Sequence, residues 1–90
     1  MKDSARYSSI KGVLRVGKKE FEITNNIRTL RFFAGEMTQQ QLAEKTNSSR
    51  QTIIAVEAGK YSPSLDLAFR IADAFGLPIG DVFSYKKTEE

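Results

Sequence analysis

The chain contains no cysteine and no histidine among its 90 residues. Without cysteine there is no disulfide framework and no thiolate metal site. Without histidine the commonest general base and the commonest metal ligand are both missing. No apolar run approaches membrane-spanning length. The first ten residues are polar and lack the apolar core of a signal peptide. A cytoplasmic protein with no membrane partner is therefore expected. No internal repeat or low-complexity tract is present. Gly12 and Gly17 lack the Gly-Lys-Ser/Thr continuation of a phosphate-cradling loop. Serine and threonine are plentiful, but there is no histidine or cysteine and no lysine in an evidently apolar setting to pair with them, and Glu89-Glu90 are paired carboxylates on a terminal tail. These gaps exclude the usual catalytic constellations. The expectation is a protein that is not an enzyme, with no metal and no cofactor. One small domain rarely holds a sizeable pocket, so no small-molecule ligand is expected either.

What the chain has is an uneven positive charge. The net charge is +3, yet residues 1–31 hold eight basic and three acidic side chains, while residues 32–90 hold six basic and eight acidic. A basic end on a near-neutral body suits a polyanion, because neutralising phosphates releases counterions. A merely solvated charged terminus explains the same numbers.

Along the chain, residues 1–9 are polar and expected to fray. Val13, Leu14 and Val16 precede Gly17-Lys18, and Phe21 and Ile23 follow, alternating with Glu20 and Glu22. Two β-prone runs around a glycine-containing pair predict a short N-terminal β-hairpin. An isolated hairpin is marginal in water, so it must pack on the helices or pair with another chain. Thr24-Asn25-Asn26 supplies helix-capping residue types, and Ile27, Leu30, Phe33 and Ala34 follow at helical spacing up to Gly35. Thr38 and Gln41 form a capping box that opens a second helix, with Leu42 and Ala43 inward and an end near Thr46. Asn47-Ser48 is a turn, and Ser49 caps a third helix over about residues 49–58 with Ile53 and Val56 as core positions. Ser64 caps a fourth helix whose stripe is Leu65, Ala68, Ile71, Ala72 and Phe75, closed by Gly76. Ile79, Val82 and Phe83 fit a short fifth helix after Pro78. The reading is an all-α, compact five-helix domain over residues 24–84, with a basic extension over 1–23 and a charged tail over 85–90.

The stretch that can do chemistry is residues 39–59, two short helices around a tight turn. A helix entering the major groove needs long polar side chains in its first turn, a preceding helix with its N-terminus toward a phosphate, and small or apolar residues fixing the crossing. Arg50 can donate two bonds to guanine O6 and N7, and Gln51 can bond adenine N6 and N7. Gln39 can donate to a phosphate beside the free N–H groups of the second helix. Ala43 permits close crossing, with Ile53 and Val56 opposite. Ile54 and Ala55 fall near the groove side, where they could meet thymine methyl groups, although Ile54 reads equally as a core or dimer residue.

In these residues the chain resembles the phage-repressor/Cro-like helix-turn-helix proteins, the XRE family. The carriers are IRTLR at 27–31, GEMTQQQLAEK at 35–45, SRQTI at 49–53, VEAGKYSPSL at 56–65, LAFRIADAFG at 67–76 and DVF at 81–83. The resemblance implies a Cro/repressor-like five-helix domain of the short stand-alone type, usually bound as a dimer to a roughly palindromic operator in double-stranded DNA; the expectation is a homodimeric, sequence-specific transcriptional regulator, a repressor. It puts Ser48, Arg50, Gln51, Ile54 and Ala55 at base-contacting positions, and Gln39, Ser49, Thr52, Lys60 and Ser62 at phosphate-contacting positions. It gives Glu57 a structural role, paired with an arginine of the first helix, Arg31 or Arg28.

Three departures stand out. Thr46-Asn47-Ser48 replaces the usual apolar-Gly-apolar turn, which predicts a looser turn with a weaker small core beneath it. Gly35-Glu36-Met37 is one residue longer than the commonest first link. The first 23 residues have no counterpart in the minimal domain and suit either a basic arm along DNA or a dimerising hairpin. Val82, Phe83 and Tyr85 at the other end are an alternative dimer surface. The competing reading is a protein-interaction module on the same fold, such as an antitoxin or adaptor, since fold alone does not fix function.

Overall fold

A computed structural model describes residues 21–87. The chain order is β1 (Phe21–Asn25), α1 (Ile27–Phe33), α2 (Gln39–Thr46), α3 (Arg50–Glu57), α4 (Leu65–Phe75), a 3-10 turn (Ile79–Asp81) and β2 (Phe83–Lys87). The core is one cluster in which Ile27, Leu42, Ile53, Ile71, Val56 and Val82 are nearly or wholly excluded from solvent. Each helix contributes to it, so no helix is stable in isolation from the others.

Three helices start where the sequence places their caps. The Thr38 side chain accepts from Gln41 N, and the Gln41 side chain reaches back to Thr38 N, completing the capping box. The hydroxyls of Ser49 and Ser64 accept from Thr52 N and Leu67 N. Gly76 closes α4 in the left-handed conformation, φ 68°, which glycine adopts without a Cβ clash.

The fold is not all-α and does not have five helices. Among the described residues there are four α-helices, and the expected fifth is a three-residue 3-10 turn. Pro78 immediately precedes that turn and Gly80 sits inside it, leaving too few helix-favouring residues to propagate. Val82 still reaches the core at 1% exposure. The chain then continues as β2, which pairs antiparallel with β1 in the register Ile23↔Tyr85 and Asn25↔Phe83. FEITN and FSYKK are both rich in β-branched or aromatic residues, and each supplies the partner the other lacks. The expected hairpin turn and first strand, with Val13, Leu14, Val16, Gly17 and Lys18, lie outside the described residues. Residues 85–87, expected in a charged tail, belong to β2.

Two apolar stripes also shift. Phe33 is 76% exposed and Ala34 lies beyond the end of α1. The inward face of α1 is Ile27, Leu30 and, one turn on from Ile27, Arg31. In α4 Leu67 is buried while Leu65, at the first helical position, is exposed.

Candidate nucleic-acid interface

α2 and α3 share a crossing made by Leu42 and Ala43 on one side and Ile53 and Val56 on the other, all buried. Ala43 is 1% exposed and belongs to the same core cluster as Leu42, Ile53 and Val56. The turn between them is polar but closed. Asn47 takes the left-handed conformation at φ 56°, which Asn tolerates better than most residues. Thr46 is fully buried, and its hydroxyl donates to the Leu42 and Ala43 carbonyls at 2.9 and 3.2 Å. The Ser48 hydroxyl lies 2.8 Å from that of Thr46, and Ser48 N donates to Ala43 O at 2.9 Å. The Arg70 guanidinium donates to the Thr46 carbonyl from α4. The hydroxyls that replace apolar side chains are satisfied, by the α2 carbonyls and by each other.

At the far end of α3, Glu57 is the hub of an ion-pair network. Arg31 Nη2 and Nε donate to its two carboxylate oxygens at 2.8 and 3.3 Å, and Gln39 Nε2 donates to Oε1 at 3.3 Å. Both charged side chains are largely buried, 16% and 11% exposed. Arg31 Nη1 also donates to the Met37 carbonyl at 2.8 Å. The longer link is absorbed by two successive left-handed residues, Gly35 and Glu36, at φ 81° and 59°, which bring Met37 O to the guanidinium. Arg31 is therefore the partner of Glu57. Arg28, the other candidate, forms no ion pair with Glu57.

Arg28 and Arg50 are exposed, and neither is in an ion pair with any described residue. Both line an open groove of about 490 Å³, together with Arg31, Thr38, Gln39, Gln40 and Glu57. An adjoining groove of about 400 Å³ runs along α1 past Asn25, Asn26 and Thr29 to Ile54 and Ala58. Gln39, Arg50, Ile54, Glu57 and Arg31 are thereby brought to one continuous surface. Gln51 is exposed on the first turn of α3, Ile54 is 37% exposed and Ala55 is half-buried. The remaining positions are more scattered. Ser48 is engaged with Thr46. Ser49 and Thr52 bond each other at 2.9 Å. Lys60 is exposed past the end of α3, and Ser62 lines a further depression beside β1 that shares Asn25, Glu57 and Ala58 with the groove along α1. From the sequence Arg28 reads only as a partner for Glu57. Its place on the groove depends on where α1 lies against α3, which no local pattern reveals. Among the described residues no cluster of acidic side chains could hold a metal ion, and no helix is long and apolar enough to cross a membrane.

A family model described as helix-turn-helix matches residues 27–82. The chain belongs to this family, in its XRE-type branch. Relatives of this helix-turn-helix chain include an uncharacterized HTH-type transcriptional regulator of Methanocaldococcus jannaschii, 58% identical over 53 residues, which are 59% of this chain and 80% of that protein. A second uncharacterized HTH-type transcriptional regulator, from Bacillus subtilis, is 42% identical over 59 residues, 66% of this chain and 88% of the relative. The immunity repressor protein of Bacillus phage phi105 is 38% identical over 47 residues, 52% of this chain and 33% of the repressor. Within the helix-turn-helix, α2, the Thr46-Asn47-Ser48 turn and α3 form the bihelical unit itself, and α1, α4 and Val82 bury its back.

Proposed function

We propose that this chain is a sequence-specific DNA-binding transcriptional regulator that acts as a homodimeric repressor, with α3 entering the major groove. The observation that carries the reading is the surface around α3. Its first turn presents Arg50 and Gln51 to solvent, beside a groove lined by two arginines, Arg28 and Arg50, without an acidic partner among the described residues. A groove with uncompensated positive charge attracts polyphosphate, and long polar side chains at a helix start reach base edges. The names of the relatives, HTH-type transcriptional regulators and a phage immunity repressor, support it. In this reading Arg50 and Gln51 carry the polar base contacts, joined by Ser48, with Ile54 and Ala55 against thymine methyls. Gln39, Ser49, Thr52, Lys60 and Ser62 meet phosphates, and Arg28 joins them from α1. The basic extension over residues 1–23 adds to the same electrostatic attraction, and the setting is the cytoplasm.

A second reading, an interaction module of the antitoxin or adaptor kind, draws support from Phe32 and Phe33. These are 61% and 76% exposed and stacked edge to face, with ring centres 5.3 Å apart, and exposed aromatic patches mark partner surfaces.

Selection of binding sites from random duplex DNA, with measured stoichiometry, separates the two. The regulator reading expects a two-fold symmetric site bound by two chains. Arg50→Ala and Gln51→Ala then relax preference at defined base pairs with little change in salt dependence. Lys60→Ala weakens all sequences alike and lowers the salt slope by about 0.9. If both α3 variants bind the selected site as wild type does, α3 is not the reader. Failure to retard any duplex at low salt favours the interaction module.

A further inference from the structure

One side chain joins the sheet, the first helix and α3. Asn25, the last residue of β1, accepts from Ile27 N through Oδ1 at 3.0 Å. Its Nδ2 donates to the Val56 carbonyl at 3.0 Å and reaches the Glu57 carbonyl at 3.5 Å, the outer limit of a hydrogen bond. The neighbouring Asn26 donates its backbone N–H to Val82 O and its side chain to Asp81 O, each at 3.1 Å. The orientation of the Asn25 amide is set by chemistry. Reversed, its oxygen would face two carbonyl oxygens and its NH₂ would face an N–H.

The carbonyls it meets are the last two of α3, where a helix runs out of internal donors. Ile54 O, Ala55 O and Val56 O accept from the backbone of Ala58, Lys60 and Gly59. Among the described residues Glu57 O has only Asn25. The Glu57 side chain is held by Arg31, so the C-terminal end of α3 is tied from β1 by its main chain and from α1 by its carboxylate.

We infer that Asn25 is a positioning residue for DNA recognition, setting the tilt of α3 from its C-terminal end; this rests on α3 being the reading helix. The lever is simple. From Glu57 back to Arg50 is seven residues, about 10 Å of helix at 1.5 Å per residue. A tilt of about 10° at the tied end moves the Arg50 end by about 2 Å, enough to break a bidentate contact that tolerates only a few tenths of an ångström. The groove alongside α1, lined by Asn25, Ile54 and Ala58, leaves that flank of α3 open to solvent.

The two jobs of Asn25 respond differently to substitution. Asn25→Asp keeps the oxygen that caps Ile27 N, but it turns a second oxygen on the carbonyls of α3 and adds negative charge at a helix C-terminus. Asn25→Ala removes both contacts without repulsion. The test measures binding of each full-length variant to the selected site and to unrelated duplex, well below its melting temperature, with folded fraction checked by circular dichroism. The expected order of discrimination is wild type, then Asn25→Ala, then Asn25→Asp. The aspartate should lose at least about tenfold in the ratio of specific to non-specific affinity while its salt slope stays unchanged. A residue that only caps α1 gives the reverse order, with Asn25→Asp near wild type. That order, or a ratio unchanged in both variants while wild type discriminates, overturns the proposal and leaves α3 as reader. A wild-type protein that shows no discrimination removes the reading on which the proposal stands.

Discussion

Glu57 is the position where structure and stability meet most directly. Replacing it with alanine leaves the Arg31 guanidinium, 16% exposed, with only the Met37 carbonyl as partner among the described residues and frees Gln39 Nε2. Removing one member of a fully buried pair costs about 3–5 kcal/mol, mainly because the other charge is left uncompensated. Some water still reaches both side chains here, so the lower end applies, about 3 kcal/mol. In a domain of this size that lowers the melting temperature by about 12–24 °C. Thermal and urea unfolding followed by circular dichroism measure it. The urea slope should be unchanged, because the surface exposed on unfolding is nearly the same. A cycle with Arg31→Met tests the cause. If the orphaned charge dominates, the double variant is more stable than the sum of the singles implies, by about 1–3 kcal/mol. A loss below about 0.5 kcal/mol for Glu57→Ala, or strict additivity in the cycle, would refute the account of Glu57 as a tie between α1 and α3.

Other positions respond to their own local physics. Asn47→Ala should cost about 1 kcal/mol in urea unfolding, because alanine is strained at φ 56°, while Asn47→Gly should be neutral or slightly stabilising. Ile53→Ala, emptying a side chain wholly excluded from solvent, should lose about 3 kcal/mol by the same assay. Arg28→Ala should leave the unfolding midpoint unchanged and weaken binding to every duplex alike, with a salt slope lower by about 0.9. An unchanged slope would take Arg28 off the phosphate path.

The capping box at Thr38, the serine caps of α3 and α4 and the left-handed Asn47 were all legible, because each is decided within four residues of itself. So were the inward positions of α2 and α3. Elsewhere a local pattern pointed at the wrong side. Phe33 looked like core by apolarity, yet the inward face of α1 goes to Arg31, since Glu57 lies opposite. Leu65 and Leu67 are equally apolar, yet Leu67, one turn before Ile71, joins the core while Leu65, at the first position of α4, is left exposed. Polar Thr46 and Ser48 looked like a defect in the turn and are its hydrogen-bonded closure.

The sequence by itself determined where most helices begin, which residues cross at the α2–α3 contact and which polar side chains stand at the start of α3. Those follow from spacing and from the φ/ψ preferences of single residues. Tertiary structure alone decided that residues 83–87 form a strand against residues 21–25, that Arg31 and not Arg28 meets Glu57, and that Asn25 holds the end of α3. These are contacts between segments far apart in the chain, and their geometry is set by how the helices close over a shared core.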